Sequence, residues 1–229
     1  MKKVFYLLEP FEREYFAAAF PEATLCDQDF PGNEEDAEIA CIRGKSAFFG
    51  EKQLASFPSL KLLATRSVGT DNVDAEALQA RGVKLANAPG YADDAVSGHA
   101  LKMLSEIGVS LDKGTRLGLI GAGRIGCKLA EKAVASGASV VAYDVFKNEE
   151  AARRIGFEYV SLDEALACDV VSIHVPLLPT TKHLIDSKAL KKMRDGAILV
   201  NTARGGIVDE AALLTELPRL GGACLDVVE

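Results

Sequence analysis

The run Gly121-Ala122-Gly123-Arg124-Ile125-Gly126 constrains this chain more than any other feature, because of what flanks it. A continuously apolar stretch, 117–120, leads into it, and an amphipathic stretch, 124–136, leads out. Glycine at the first position permits a tight turn, and at the second it lets a ligand reach the backbone. At the third it lets the helix pack closely on the strand. The arrangement is the strand–turn–helix opening of a doubly wound α/β sheet. The unpaired amides at such a helix start, aided by the helix dipole, suit an anion such as a diphosphate.

The next β-type stretch, 139–143, ends at Asp144, about 20 residues beyond the glycines as a dinucleotide site requires. A carboxylate there accepts hydrogen bonds from ribose hydroxyls and repels a 2′-phosphate. The combination therefore reads as an NAD site rather than an NADP site, with Lys147 the only cation close behind it. FAD or S-adenosylmethionine on a similar fold is the rival reading.

Elsewhere the sequence alternates strand-like and helical stretches, the α/β pattern. In the first half, strands are expected at 4–8, 39–42, 60–65 and 83–86, with helices at 11–19, 51–57 and 74–81. In the second half, strands are expected at 116–120, 139–143, 158–160, 170–174, 197–201 and 223–227. The helices between them fall at 124–136, 149–154, 162–167, 187–192 and 210–217, and 96–107 reads as a crossover helix. Two domains follow, 1–100 and 101–229, the second a Rossmann unit with a parallel sheet.

The net charge of −7 with no basic stripe argues against nucleic acid as a partner, and no apolar run reaches the length of a membrane span. The five cysteines have no metal-ligand spacing and read as buried thiols, so no metal and a cytoplasmic location are expected. Two turns fall at the carboxyl ends of second-half strands, Val175-Pro176 onward and Thr202-Ala203-Arg204-Gly205-Gly206, where such sheets bind ligands. The planar fork of Arg204 is suited to a carboxylate.

These segments together resemble the D-isomer-specific 2-hydroxyacid dehydrogenases, nearest to the D-lactate dehydrogenase branch. The resemblance rests on residues 121–126, Asp144, SIHVPLLPTTKHLI (172–185), ILVNTARGGIVDEAAL (198–213) and GGACLDVVE (221–229). TRSVGTDNVD (65–74) and NAPGYADDAVSGHAL (87–101) add to it. It implies a smaller flavodoxin-like substrate domain beside the Rossmann domain, an active site in the cleft between them, and a small 2-hydroxy or 2-keto acid as substrate. Val68 and Gly69 would meet the substrate carboxylate, and Arg204 would be catalytic, orienting substrate beside the nicotinamide. Gly121, Gly123, Arg124, Ile125, Gly126, Asp144, His174, Val175, Pro176, Thr181, Thr202, Ala203, Arg204 and Asp226 would line the cofactor.

The resemblance also carries departures. Hydride transfer to a keto acid needs a proton donor, ordinarily histidine. None of His99, His174 and His183 matches the family's catalytic histidine, which follows the LDV strand together with its glutamate. His174 is expected to pack by the cofactor, and His99 and His183 to be structural. Gly98 stands where the family commonly has glutamate, and the crossover between His99 and Gly121 is short. The family homodimer would therefore lack much of its dimerisation arm. Turnover by these residues alone is expected to be weak or absent. The alternative is a non-catalytic NAD(H)-responsive binding or corepressor-like protein.

Overall fold

The computed structural model describes residues 1–30 and 36–229. The chain divides into two compact units, Met1–Tyr91 and Ala92–Glu229.

The first unit is a five-stranded parallel sheet with β1 (Lys3–Phe5), β2 (Thr24–Leu25), β3 (Ile39–Ile42), β4 (Leu62–Thr65) and β5 (Lys84–Ala86). Three helices connect them: α1 (Pro10–Ala19), α2 (Glu51–Ala55) and α3 (Ala75–Ala80). The strand order 2-1-3-4-5 is that of flavodoxin-like sheets. Strand β1 is shorter than its apolar run because Leu7 adopts a positive φ of 49°, which turns the chain out of the sheet toward α1. The edge strand β2 has only two residues, too few for an alternation to show in the sequence. Val4, Tyr6, Ile42 and Leu63 pack on one face of this sheet, and Phe5 and Cys41 on the other.

The second unit opens with α4 (Asp93–Glu106), three residues earlier than the apolar pattern indicates. Asp93 and Asp94 fill its first turn, where carboxylates complement the helix dipole, so the start is set by charge rather than by apolar spacing. This helix packs on α5, so the division between the units falls before it rather than within it. The chain then runs β6 (Arg116–Ile120), α5 (Arg124–Ala135), β7 (Ser139–Tyr143), α6 (Glu149–Ile155), β8 (Glu158–Tyr159), α7 (Leu162–Leu166) and β9 (Val170–Ile173). It finishes with α8 (Ser187–Leu190), β10 (Ile198–Asn201), α9 (Glu210–Glu216) and β11 (Gly222–Leu225).

All six strands are parallel, in the order β8-β7-β6-β9-β10-β11. Counted from β6, this is the 3-2-1-4-5-6 order of a Rossmann sheet, whose switch point lies between β6 and β9. Both faces are covered, which explains why β6 is apolar from Leu117 to Ile120. Leu117 and Leu119 enter the core beneath α5, and Ile120 enters the opposite one with Val171, Ile173 and Leu199. Gly118 is required there, since a Cβ would lie 2.0 Å from the Ala165 carbonyl oxygen of α7. Among the described residues no helix is long and apolar enough to cross a membrane.

Candidate functional site

At the carboxyl edge of the second sheet, between the ends of β6, β7 and β9, lies a cavity of about 1030 Å³. The glycine loop forms its floor, and each glycine has a separate task. Gly121 has a φ of 100°, and a Cβ there would meet the His174 carbonyl oxygen at 2.7 Å. At Gly126 a Cβ would lie 2.2 Å from the Gly121 carbonyl oxygen, so the helix can approach the turn only without a side chain. At Gly123, the N-cap of α5, no atom lies within 4 Å of the added Cβ. The open space above Gly123 is where a ligand can come against the backbone, and the first amides of a twelve-residue helix face it.

Asp144 closes the loop from the end of β7. One carboxylate oxygen accepts from Ala122 N at 2.7 Å, and the other from Phe146 N at 2.9 Å. The acid therefore shapes the glycine turn and retains lone pairs for a hydroxyl donor. Arg124 donates through Nε to the buried carboxylate of Asp93 at 2.9 Å, bracing the start of α5 against the start of α4.

His174 follows β9, donates its amide to Ile120 O, and places Nε2 2.9 Å from Ser172 Oγ. Burial pushes its pKa down to about 4, so the ring is neutral near pH 7. The Val175-Pro176 turn after it is pinned by Thr181, whose hydroxyl donates to Pro176 O at 2.6 Å and accepts from Leu178 N at 2.7 Å.

Seven expected cofactor residues line this cavity: Gly123, Arg124, Asp144, His174, Val175, Pro176 and Thr181. Gly121 and Gly126 shape it from beneath, while Ile125 does not line it. Thr202, Ala203, Arg204 and Asp226 stand farther along the same edge, after β10 and β11. The loop bearing Arg204 is clipped by buried Asn201. Its side-chain oxygen accepts from Ala203 N at 3.0 Å, and its side-chain nitrogen donates to Arg204 O at 2.8 Å. Thr202 Oγ1 is buried with no hydrogen-bond partner, a group suited to a ligand.

In the first unit, Val68 and Gly69 form the turn after β4. Asn87 donates to Val68 O at 2.8 Å, and the Ser67 hydroxyl donates to Gly69 O at 2.6 Å. Of the other histidines, His99 lies 3.2 Å from Asp226 Oδ1, and His183 lies 2.9 Å from Glu229 Oε2.

Sequence reasoning missed Asn201, Asp93, Phe146 and the cavity wall formed by Cys127, Lys128, Glu131 and Arg154. For Asn201 a signal was present, since a polar residue ends an otherwise apolar strand. The α5 wall residues read as an ordinary solvated helix face, and nothing in the chain order places them beside Arg154.

A family model described as "D-isomer specific 2-hydroxyacid dehydrogenase, NAD binding domain" matches residues 84–229. A D-3-phosphoglycerate dehydrogenase of Mycobacterium tuberculosis is 41% identical over 200 residues, covering 78% of this chain and 38% of that protein. The chain thus spans well under half of that relative's length. A glycerate dehydrogenase of Methylorubrum extorquens is 35% identical over 90% of this chain and 72% of its own length. Among solved structures, a D-lactate dehydrogenase from Aquifex aeolicus, complexed with NAD and lactic acid, aligns with a TM-score of 0.88 and 31% identity. The alignment covers 99% of this chain and 77% of that one. The glycine loop, its acid, the Rossmann strand order and these similarities converge: the chain belongs to the D-isomer-specific 2-hydroxyacid dehydrogenase family and carries its NAD-binding domain.

Proposed function

We propose that this chain binds NAD(H) in the cavity above Gly123 and takes part in hydride exchange between the nicotinamide and a small 2-hydroxy or 2-keto acid. The observation that carries this reading is the open space over Gly123, faced by the α5 amides and rimmed by Asp144. The residues fit the cofactor part by part. The α5 amides and Arg124 hold the diphosphate, Asp144 accepts from the adenine-side ribose, and Val175, Pro176 and Thr181 form an adjoining wall. Thr202, Ala203 and Asp226 lie on the side toward the nicotinamide.

The bound dinucleotide supplies the hydride. Arg204, on its clipped loop, forks the substrate carboxylate and polarises the neighbouring carbonyl. Carbonyl reduction also consumes a proton. His174 is held neutral, while His99 and His183 each face a carboxylate. General acid help of this kind is worth about 10²–10⁴ in rate. The buried thiols Cys41, Cys168 and Cys224 fit a reducing, cytoplasmic setting.

The test is a fluorescence titration with NADH, followed by a 2-keto acid panel on the NADH complex and a reading of nicotinamide absorbance. Saturable NADH binding that a 2-keto acid tightens supports the reading. No NADH binding at millimolar concentration refutes it.

A further inference from the structure

Two cations line the α5–α6 wall of the cavity, and each is already engaged. Lys128 on α5 and Arg154 on α6 both line the cavity with Asp144. Between them stands Glu131, which accepts from Lys128 Nζ at 3.1 Å and from Arg154 Nη1 at 2.9 Å. The hydrogen bonds from Lys128 and Arg154 hold the Glu131 carboxyl below the usual range, and the same bond raises Lys128. Lys147, just past Asp144, lies with its ammonium over the Tyr159 ring, 5.8 Å from the centroid. Cys127, on the same wall, has its thiol pushed up by burial, and Glu131, Arg154 and Asp144 line the same cavity.

We infer that Glu131 is a second determinant of cofactor choice: it sequesters Lys128 and Arg154 so that neither is available to a 2′-phosphate. The inference rests on the reading of this cavity as the NAD site. Asp144 rejects the extra phosphate directly, whereas Glu131 removes the cations that would otherwise attract it. Both consequences of losing Glu131 have the same sign. One negative charge leaves the wall, and two cations are released to face the cavity. A 2′-phosphate gains from each, while the 2′-hydroxyl of NADH gains little.

The test measures NADH and NADPH dissociation constants by fluorescence for the wild type, Glu131→Gln, Asp144→Ala, the double variant, and Glu131→Gln/Arg154→Ala. Melting curves check that each variant is folded. Glu131→Gln should shift the NADPH-to-NADH ratio toward NADPH by about two- to fivefold, the range of exposed ion pairs. The shift should be larger in the Asp144→Ala background, should shrink when Arg154 is also removed, and should fade in high salt. An unchanged ratio in both Glu131→Gln backgrounds, with NADH still binding, overturns the inference alone. A wild type that binds neither nucleotide overturns the cofactor reading and the inference with it.

Discussion

Replacing Gly123 and Gly126 separately by alanine makes the same chemical change three positions apart on one loop, yet the structure assigns the two changes opposite consequences. At Gly126 the new methyl group would lie 2.2 Å from the Gly121 carbonyl oxygen, so helix or turn must move by the better part of an ångström. Overpacking of that kind costs about 1–3 kcal/mol. For a chain of this size each kcal/mol lowers Tm by about 2–4 °C, so Gly126→Ala should lose about 2–12 °C. At Gly123 the methyl group meets nothing within 4 Å, and the backbone already lies at a negative φ of −72°. Folding should therefore change by no more than the few tenths to about 1 kcal/mol expected at an N-cap. The methyl group instead occupies the diphosphate's approach. Losing one charge-assisted contact, about 1.5–3 kcal/mol, raises the NADH Kd by about 10- to 100-fold. Differential scanning calorimetry and NADH fluorescence titration on both variants separate the two effects. A Gly123→Ala protein that binds NADH like the wild type would refute the assignment of the open space to the cofactor. An undiminished Tm in Gly126→Ala would refute the packing argument.

Asp144→Ala removes the acceptor for Ala122 N and Phe146 N as well as the ribose partner. Its NADH Kd should rise by about tenfold or more, read by the same titration. Arg204→Ala should leave the NADH Kd within about twofold of the wild type, while the 2-keto acid no longer tightens the NADH complex; retained tightening assigns the carboxylate elsewhere. His174 should make stability depend on acid pH. Its folded pKa, about 4, lies below the unfolded value near 6.5, so the unfolded chain takes up the proton first. Stability should fall as pH drops from about 6.5 to 4 and then level off, by up to about 3 kcal/mol. Urea unfolding of wild type and His174→Gln across that range measures it, and an equally steep decline in the variant would exclude His174 as the source.

The second unit was legible in the sequence to within a residue or two at most strands, because its parallel strands are buried on both faces and bounded by turns. The first unit was harder. Its strand β1 ends where Leu7 takes a left-handed conformation, and no apolar count reveals a single dihedral angle. The start of α4 was missed because two aspartates set it. For the site, the glycines and Asp144 were readable because their roles follow from chain order within one βαβ unit. Glu131, Lys128 and Arg154 were not, since their meeting depends on how α5 and α6 lie against each other. The two oxygens of Asp93 show the same limit. One braces Arg124, the other is buried without a partner, and the sequence shows only an acid in a helix's first turn.

The Asn201 clip also affects when the entropy of the Arg204 loop is lost. With both ends of its amide engaged, the loop is ordered during folding, before any substrate arrives, and a carboxylate meets an arginine whose backbone needs little further restriction. Aspartate at 201 would be nearly isosteric but would present an oxygen to the Arg204 carbonyl where the amide now donates. The loop would loosen, and the lost order would have to be recovered at each binding event. Weaker capture of the acid would follow without any change in the residues that touch it.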